Sequence, residues 1–450
     1  MAPTHGQHGQ SYGLVTKTEP EGSSTPDTST PPTTRASTHG QHGQNYGLVS
    51  KTEPKSSPEP ATPGTPPSAQ GQHGQSYGLV SETESKSSTS PVNIVFVGAG
   101  AVGCFYASRL HHPTHNVHVS LIARSNYKPL VENGVKMQTH TFGDYTFTPA
   151  AVYPSVPAAA SSSREWDYVV VTTKALPDRT DDSSLIAPLI GAKTTIVLIQ
   201  NGVGVEEQYR RRFPNSPIIS AVTVISAEQT SPGTIRQNRW TRVHMGPYTD
   251  SASMGEIRSG AAETTGVIDA VGSSNVHIDL GRRGTEAVKR LADWMGQLGG
   301  IRDAEVTDEI GLQTIRWHKL CINAAFNPSS VLSGGIGNAD MVMDPELRLH
   351  LAGVMKEIWD AAPKILGRDD PFQGLAGPEK ILKSTERNKG SKPSMLLDWE
   401  AKRPLEIEVI LGNPVRIARA RGVELPRMQS LYALLRSAQG LREKGVKGKL

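Results

Sequence analysis

From residue 93 onward, apolar runs alternate with longer stretches in which apolar positions fall three or four apart. Ile94–Val97, Val117–Ile122, Tyr168–Thr172, Thr195–Ile199 and Ile218–Ile225 are the runs. Their shortness and β-branched content predict buried strands, and the helical spacing between them predicts crossover helices. Strand and helix in alternation give an α/β fold, a Rossmann-type doubly wound parallel sheet. After about residue 286 the strand signal fades. Glu286–Leu298, Glu309–Phe326, Pro345–Leu366 and Ile407–Arg421 carry helical spacing, which predicts a mostly α-helical C-terminal domain. We divide the chain into a sheet domain at 91–306 and a helical domain at 307–450, with a cleft between them suited to a small ligand. Residues 249–284 are rich in Gly, Ser, Ala and Thr and read as a surface insertion.

The first 90 residues break the pattern. Their only aromatics are Tyr12, Tyr46 and Tyr77, so the segment cannot bury enough apolar surface to offset its ordering entropy and reads as a disordered, low-complexity tail. It holds three copies of one decapeptide: GQHGQSYGLV at Gly6–Val15 and Gly71–Val80, and GQHGQNYGLV at Gly40–Val49. A duplicated linker explains the copies. So does a multivalent peptide that recruits a partner through avidity, or a repeated peptide released by proteolysis.

The chain's net charge is +4, and because the tail has five basic and seven acidic residues, the remainder carries +6. That suits an anionic small ligand. Without a dense basic stripe it argues against nucleic acid. No apolar run is long enough to span a membrane. The two cysteines, Cys104 and Cys321, sit in apolar helical patterns and read as buried thiols in a reducing compartment. With no secretory h-region and an acidic, arginine-poor start, the expected location is the cytoplasm. The histidines argue no metal site.

Chemistry concentrates in four places. Ile94–Val97 runs into Gly98-Ala99-Gly100-Ala101-Val102-Gly103 and then a helical pattern, the strand–turn–helix setting in which G-x-G-x-x-G binds a dinucleotide. Gly98 permits the tight turn, Gly100 the approach of a pyrophosphate, and Gly103 the packing of helix on strand. Arg124 follows the second strand where NAD-binding folds place an acidic residue. An arginine there accommodates the 2′-phosphate of NADP, with Ser125 and Asn126 as added donors, although a solvated loop arginine reads the same way. Lys174 ends the strand YVVVTTKA, where it meets cofactor phosphates or simply opens a helix. Gln200-Asn201-Gly202-Val203-Gly204 follows TIVLI. Ordinary turn chemistry accounts for it, and so does a site loop in which Asn201 touches nicotinamide and substrate. Most specific is Lys319, Asn323 and Asn327 at i, i+4 and i+8 in TIRWHKLCINAAFNP, a polar stripe on an apolar helix. Either a ligand or a polar ladder between helices satisfies it. A desolvated lysine there is a proton donor. Ser394, Asp398 and Glu406 lie further on; Ser394 is a candidate donor to a substrate carboxylate and Glu406 a partner for the lysine.

In order and spacing, VFVGAGAVG, Arg124, VVTTKA, IQNGVG, WHKLCINAAFNP and KPSMLLDWEAKRPLEIEVILG resemble the ketopantoate reductase (2-dehydropantoate 2-reductase) family across about residues 92–440. The resemblance implies NADPH-dependent reduction of ketopantoate to pantoate, in pantothenate and coenzyme A biosynthesis. It implies Lys319 as catalytic proton donor, Asn201 shared by cofactor and substrate, and Asn323, Asn327 and Ser394 as substrate contacts. Glu406 falls near the ribose and the lysine, and Arg124 and Lys174 at the 2′-phosphate end. The repeats, the 249–284 stretch and Ser391, where some members have asparagine, depart from the pattern. They keep open a related 2-keto acid or ketone reductase of a secondary pathway. A cofactor-binding protein whose tail recruits partners is a third reading, opposed by the intact Lys319, Asn323, Asn327 and Glu406. An exposed apolar helical face would support a homodimer.

Overall fold

The computed structural model describes residues 90–249 and 270–445. The repeat-bearing tail and residues 250–269 of the expected insertion lie outside the described residues.

Among the described residues ten strands form one sheet: β1 (Val92–Val97), β2 (Val117–Ile122), β3 (Val135–Thr139), β4 (Gly143–Phe147), β5 (Ala151–Tyr153), β6 (Tyr168–Val171), β7 (Thr195–Ile199), β8 (Ile218–Ser231), β9 (Thr234–Pro247) and β10 (Ala304–Val306). The order β4-β3-β9-β8-β7-β6-β1-β2-β5, with β10 beside β9, is parallel from β5 to β8. The period of two along each strand divides the core cleanly. Ile94 and Phe96, Val170, Val197 and Ile219 face one apolar layer; Val95 and Val97, Val169 and Val171, Ile196 and Leu198 face the other. A sheet buried on both faces needs apolar side chains at every position, hence the unbroken runs IVFV, YVVV and TIVLI.

The other half of the sheet is mixed. β8 does not end at Ile225 but continues to Ser231 and turns into the antiparallel β9. β9 pairs parallel with β3, and β3 antiparallel with β4. The expected insertion is also shorter than its composition suggests. A helix runs Ala270–Asp293, and within it Leu280 is buried and Gly284 lies against Pro247. The helix continues through a π-helical turn, Trp294–Leu298, into the β10 connection.

The helical part is organised by Glu309–Leu332, capped by Asp308, whose carboxylate accepts the Gly311 N–H at 2.6 Å. Leu320, Cys321, Ala324 and Ala325 of that helix are buried with Val354, Met355 and Ile358 of the Pro345–Leu366 helix. His318 belongs to this core. It is fully buried, bonds through Nε2 to the Ala376 carbonyl (2.9 Å), and packs edge-on to Trp359 and Phe372. Both cysteines are free and buried, and burial raises both thiol pKa values, Cys104 to about 12, so neither is a nucleophile.

Candidate active site

The glycine turn has the shape its sequence demands. Gly98 takes φ +116°, a region hostile to side chains. A Cβ on Gly103 would stand 2.2 Å from the Gly98 carbonyl oxygen, so only glycine lets the Ala101–Leu110 helix sit this close to β1. Gly100 is the opposite case: it is exposed, it caps that helix, and a Cβ there would meet nothing within 4 Å. Open space over a helix N-terminus, with no acidic residue in the first turn, is what a pyrophosphate requires. The residues fit a dinucleotide.

Arg124 is exposed just past the end of β2, beside this turn. Asn126 is otherwise engaged. It is buried, and its amide donates to the Ala99 carbonyl (3.0 Å) and to Gln229 Oε1 (2.8 Å), while Gln229 donates back at 2.9 Å. The expectation that Asn126 adds a donor beside Arg124 is therefore corrected: it braces the glycine turn against the extended end of β8. Lys174 stands just past the carboxyl end of its strand, as expected. It follows β6, on the other side of β1 from Arg124, and forms an ion pair with Asp398 from the Ser394–Glu400 helix. Asp398 is held in turn by Arg403 (3.0 Å), which follows that helix.

Three other predicted residues converge. Lys319 Nζ donates to Asn201 Oδ1 (2.9 Å) and to the Thr223 carbonyl of β8 (2.7 Å). Glu406 is buried, accepts the Ala175 N–H (3.1 Å), and hydrogen-bonds Asn201. Lys319 keeps contact with a narrow recess, shared with Asn201 and Asn323, yet dense protein surrounds its ammonium. Desolvation, helped by the Arg316 guanidinium and opposed by the Glu406 carboxylate, lowers its pKa from 10.5 to about 8. Burial pushes the Glu406 carboxyl up, with the Ala175 N–H and Lys174 holding it back. An ammonium with a pKa near 8 in a polar recess is matched to giving a proton at neutral pH.

Asn327 and Ser394 lie one layer further. Asn327 is buried, with its Oδ1 accepting the Met395 N–H at 3.4 Å, so it anchors the helix that Ser394 begins. Ser394 itself is exposed. Ser391 accepts from Asn338 Nδ2 (3.1 Å).

Sequence reasoning missed two supports. Gly202, at φ +88°, presses against Val409, and the Val203 N–H donates to the Val409 carbonyl (2.8 Å). Asn413 Nδ2 closes the same contact on the Val203 carbonyl (2.9 Å). Val409 lies in a π-helical turn, Glu408–Gly412, a local irregularity that apolar spacing does not reveal. The second support is a buried Arg316–Glu206 pair, 3.2 Å apart. Its one signal in the sequence was an arginine a single turn before Lys319 on an otherwise apolar helix.

Known proteins match this architecture over its length. The family described as "Ketopantoate reductase PanE/ApbA" matches residues 94–250, and "Ketopantoate reductase PanE/ApbA C terminal" matches 311–439. A 2-dehydropantoate 2-reductase of Nostoc sp. is 26% identical over 349 residues, covering 78% of this chain and 96% of its own. An uncharacterised protein of Saccharomyces cerevisiae is 28% identical over 364 residues, covering 76% and 92%. The crystal structure of 2-dehydropantoate 2-reductase from Methylococcus capsulatus superposes with a TM-score of 0.61 at 32% identity, covering 80% of this chain and 99% of that one. Fold, site and matches together define an NADP-dependent oxidoreductase acting on a 2-keto acid. The chain belongs to the ketopantoate reductase family.

Proposed function

We propose that this chain reduces ketopantoate to pantoate, the step that feeds pantothenate and coenzyme A synthesis, in the cytoplasm. Residues 91–306 bind the cofactor and 307–450 supply the acid and the substrate contacts. The observation that carries the reading is the Lys319 ammonium, held between Asn201 and Thr223 beside the buried Glu406. The glycine turn and Arg124 would hold NADPH, which supplies the hydride when bound. A keto oxygen placed in the recess gains negative charge as it is reduced. Lys319 stabilises that charge and protonates it. Asn201 fixes the ammonium, and Asn323, on the recess wall, is placed to bond the substrate's polar groups. Asn327, on the Glu309–Leu332 helix, holds the start of the Ser394–Glu400 helix, and Ser394 at that start offers its hydroxyl to a carboxylate.

Purified protein should oxidise NADPH with ketopantoate faster than with a panel of other 2-keto acids, followed by nicotinamide absorbance. A different 2-keto acid preferred over ketopantoate would replace the substrate and keep the chemistry. Ser391, bonded to Asn338 and standing where the resemblance has asparagine in some members, is the position at which we would first seek the origin of such a preference.

Arg124→Ala should weaken NADPH binding by roughly 10–100-fold, the worth of charge-assisted hydrogen bonds to a phosphate, and leave NADH nearly unchanged. Dissociation constants for both cofactors check this. An equal loss for both would remove Arg124 from the 2′-phosphate.

A further inference from the structure

We propose that Arg316 is a positioning residue of this site: held by Glu206, its guanidinium fixes the backbone on both sides of Asn201 and so sets where Asn201 meets Lys319. The inference rests on the reading of Lys319 as proton donor.

Arg316 is 3% exposed and stands one helical turn before Lys319. Its Nη1 donates to the carbonyls of Gln200 (3.0 Å) and Gly202 (2.8 Å), the two neighbours of Asn201. Its Nη2 donates to Ser220 Oγ (2.5 Å) and the Ala221 carbonyl (3.4 Å) on β8. Two residues further along β8, Thr223 accepts from Lys319. Glu206 Oε1 lies 3.2 Å from Arg316 Nε and also accepts from Ser220 (2.6 Å) and Gln313 (3.3 Å). One guanidinium thus ties together the loop after β7, the strand β8 and the helix bearing Lys319. Both acceptors of the Lys319 ammonium, Asn201 and Thr223, belong to elements that Arg316 holds.

The chemistry is specific to arginine. Two carbonyls on one nitrogen and a hydroxyl on the next call for a planar fork of donors. A lysine offers one point of charge and cannot span both. Stability alone is a weak reason for such a pair, since burying two charges costs about as much as their attraction returns. Precision of the reacting geometry is a better one, because a displacement of about 1 Å near the chemistry lowers rates by about 100-fold.

The test uses the full-length protein with Arg316→Lys, which keeps the charge and removes the fork. The variant should fold and bind NADPH like the parent, with kcat lower by roughly 10–100-fold and little change in KM for NADPH. A parental kcat overturns the proposal, as does a loss shared equally by kcat and cofactor binding, which a structural role would produce. Should Arg316→Lys fail to fold, Glu206→Gln keeps the hydrogen bonds to Ser220 and Gln313 while removing the charge that pairs with the guanidinium. The same split between kcat and KM is expected of it, and a parental kcat overturns the idea. If the parent protein turns over no 2-keto acid, the reading of the reaction falls and backbone hydrogen exchange decides the positioning role. Faster exchange confined to residues 200–204 in Arg316→Lys supports it, and unchanged exchange overturns it.

Discussion

Lys319→Ala is expected to lower kcat by roughly 10²–10⁴-fold, the usual contribution of a positioned general acid, while NADPH still binds. The expectation follows from where the ammonium stands. Two neutral acceptors, Asn201 Oδ1 and the Thr223 carbonyl, hold it without quenching its charge. The nearby Glu406 carboxylate opposes the fall of its pKa without cancelling it, leaving a value of about 8. That value also fixes a pH dependence. Reduction needs the protonated amine, which predominates below the pKa and disappears above it. In the parent, kcat should therefore be level on the acid side of about 8 and decline by about tenfold per pH unit beyond it. In Lys319→Ala the residual rate should lose that limb. Cofactor affinity is the control, because the glycine turn and Arg124 do not touch Lys319. A variant with parental kcat, or one that keeps the same alkaline limb, would assign the proton to another group.

The parts of this molecule legible in its sequence are those where one local rule decides. Both faces of β1, β2 and β7 are buried, so their runs read as strands; Val117–Ile122 and Thr195–Ile199 end where the apolar residues end. The Lys319 stripe was visible because polar residues four apart stand out on an apolar helix. The β8–β9 hairpin was half hidden. SAEQTS and TIRQNRW carry no alternation of their own, and pairing with each other and with β3 makes them strands. Partner context outweighs propensity at such half-exposed edges. The same limit applied to charges. Glu206 and Arg316 are separated by 110 positions, and a lone arginine on a helix ordinarily belongs to a solvated face. Asn126 and Lys174 looked like free donors at strand ends because the residues that engage them, Gln229 and Asp398, lie 103 and 224 positions further on. Local pattern thus identifies which residues carry chemistry more readily than which residues hold them.

Gly202→Ala tests that second class of residue, and its effect on stability should be large. Gly202 has φ +88°, which costs a residue with a Cβ about 1–3 kcal/mol. The new methyl would also lie 2.5 Å from both the Cβ and the carbonyl oxygen of Val409. Neither can withdraw freely, because the Val409 carbonyl accepts the Val203 N–H and the Val203 carbonyl accepts from Asn413. Overpacking of this kind adds about 1–3 kcal/mol, so the total is roughly 2–6 kcal/mol against a usual domain stability of about 5–15 kcal/mol. The loop can relieve the clash only by moving away from the Glu408–Gly412 turn. Arg316 holds the Gly202 carbonyl on its other side, so that movement pulls against the same network that sets Asn201. The variant should therefore melt several degrees lower, and its folded fraction should show kcat reduced by about 100-fold, the cost of a displacement near 1 Å at the reacting centre. Thermal unfolding and single-turnover kinetics on the same preparation separate the two effects. A lower melting temperature with parental kcat would show that the loop yields without moving Asn201. An unchanged melting temperature would contradict the close approach of Gly202 to Val409 itself.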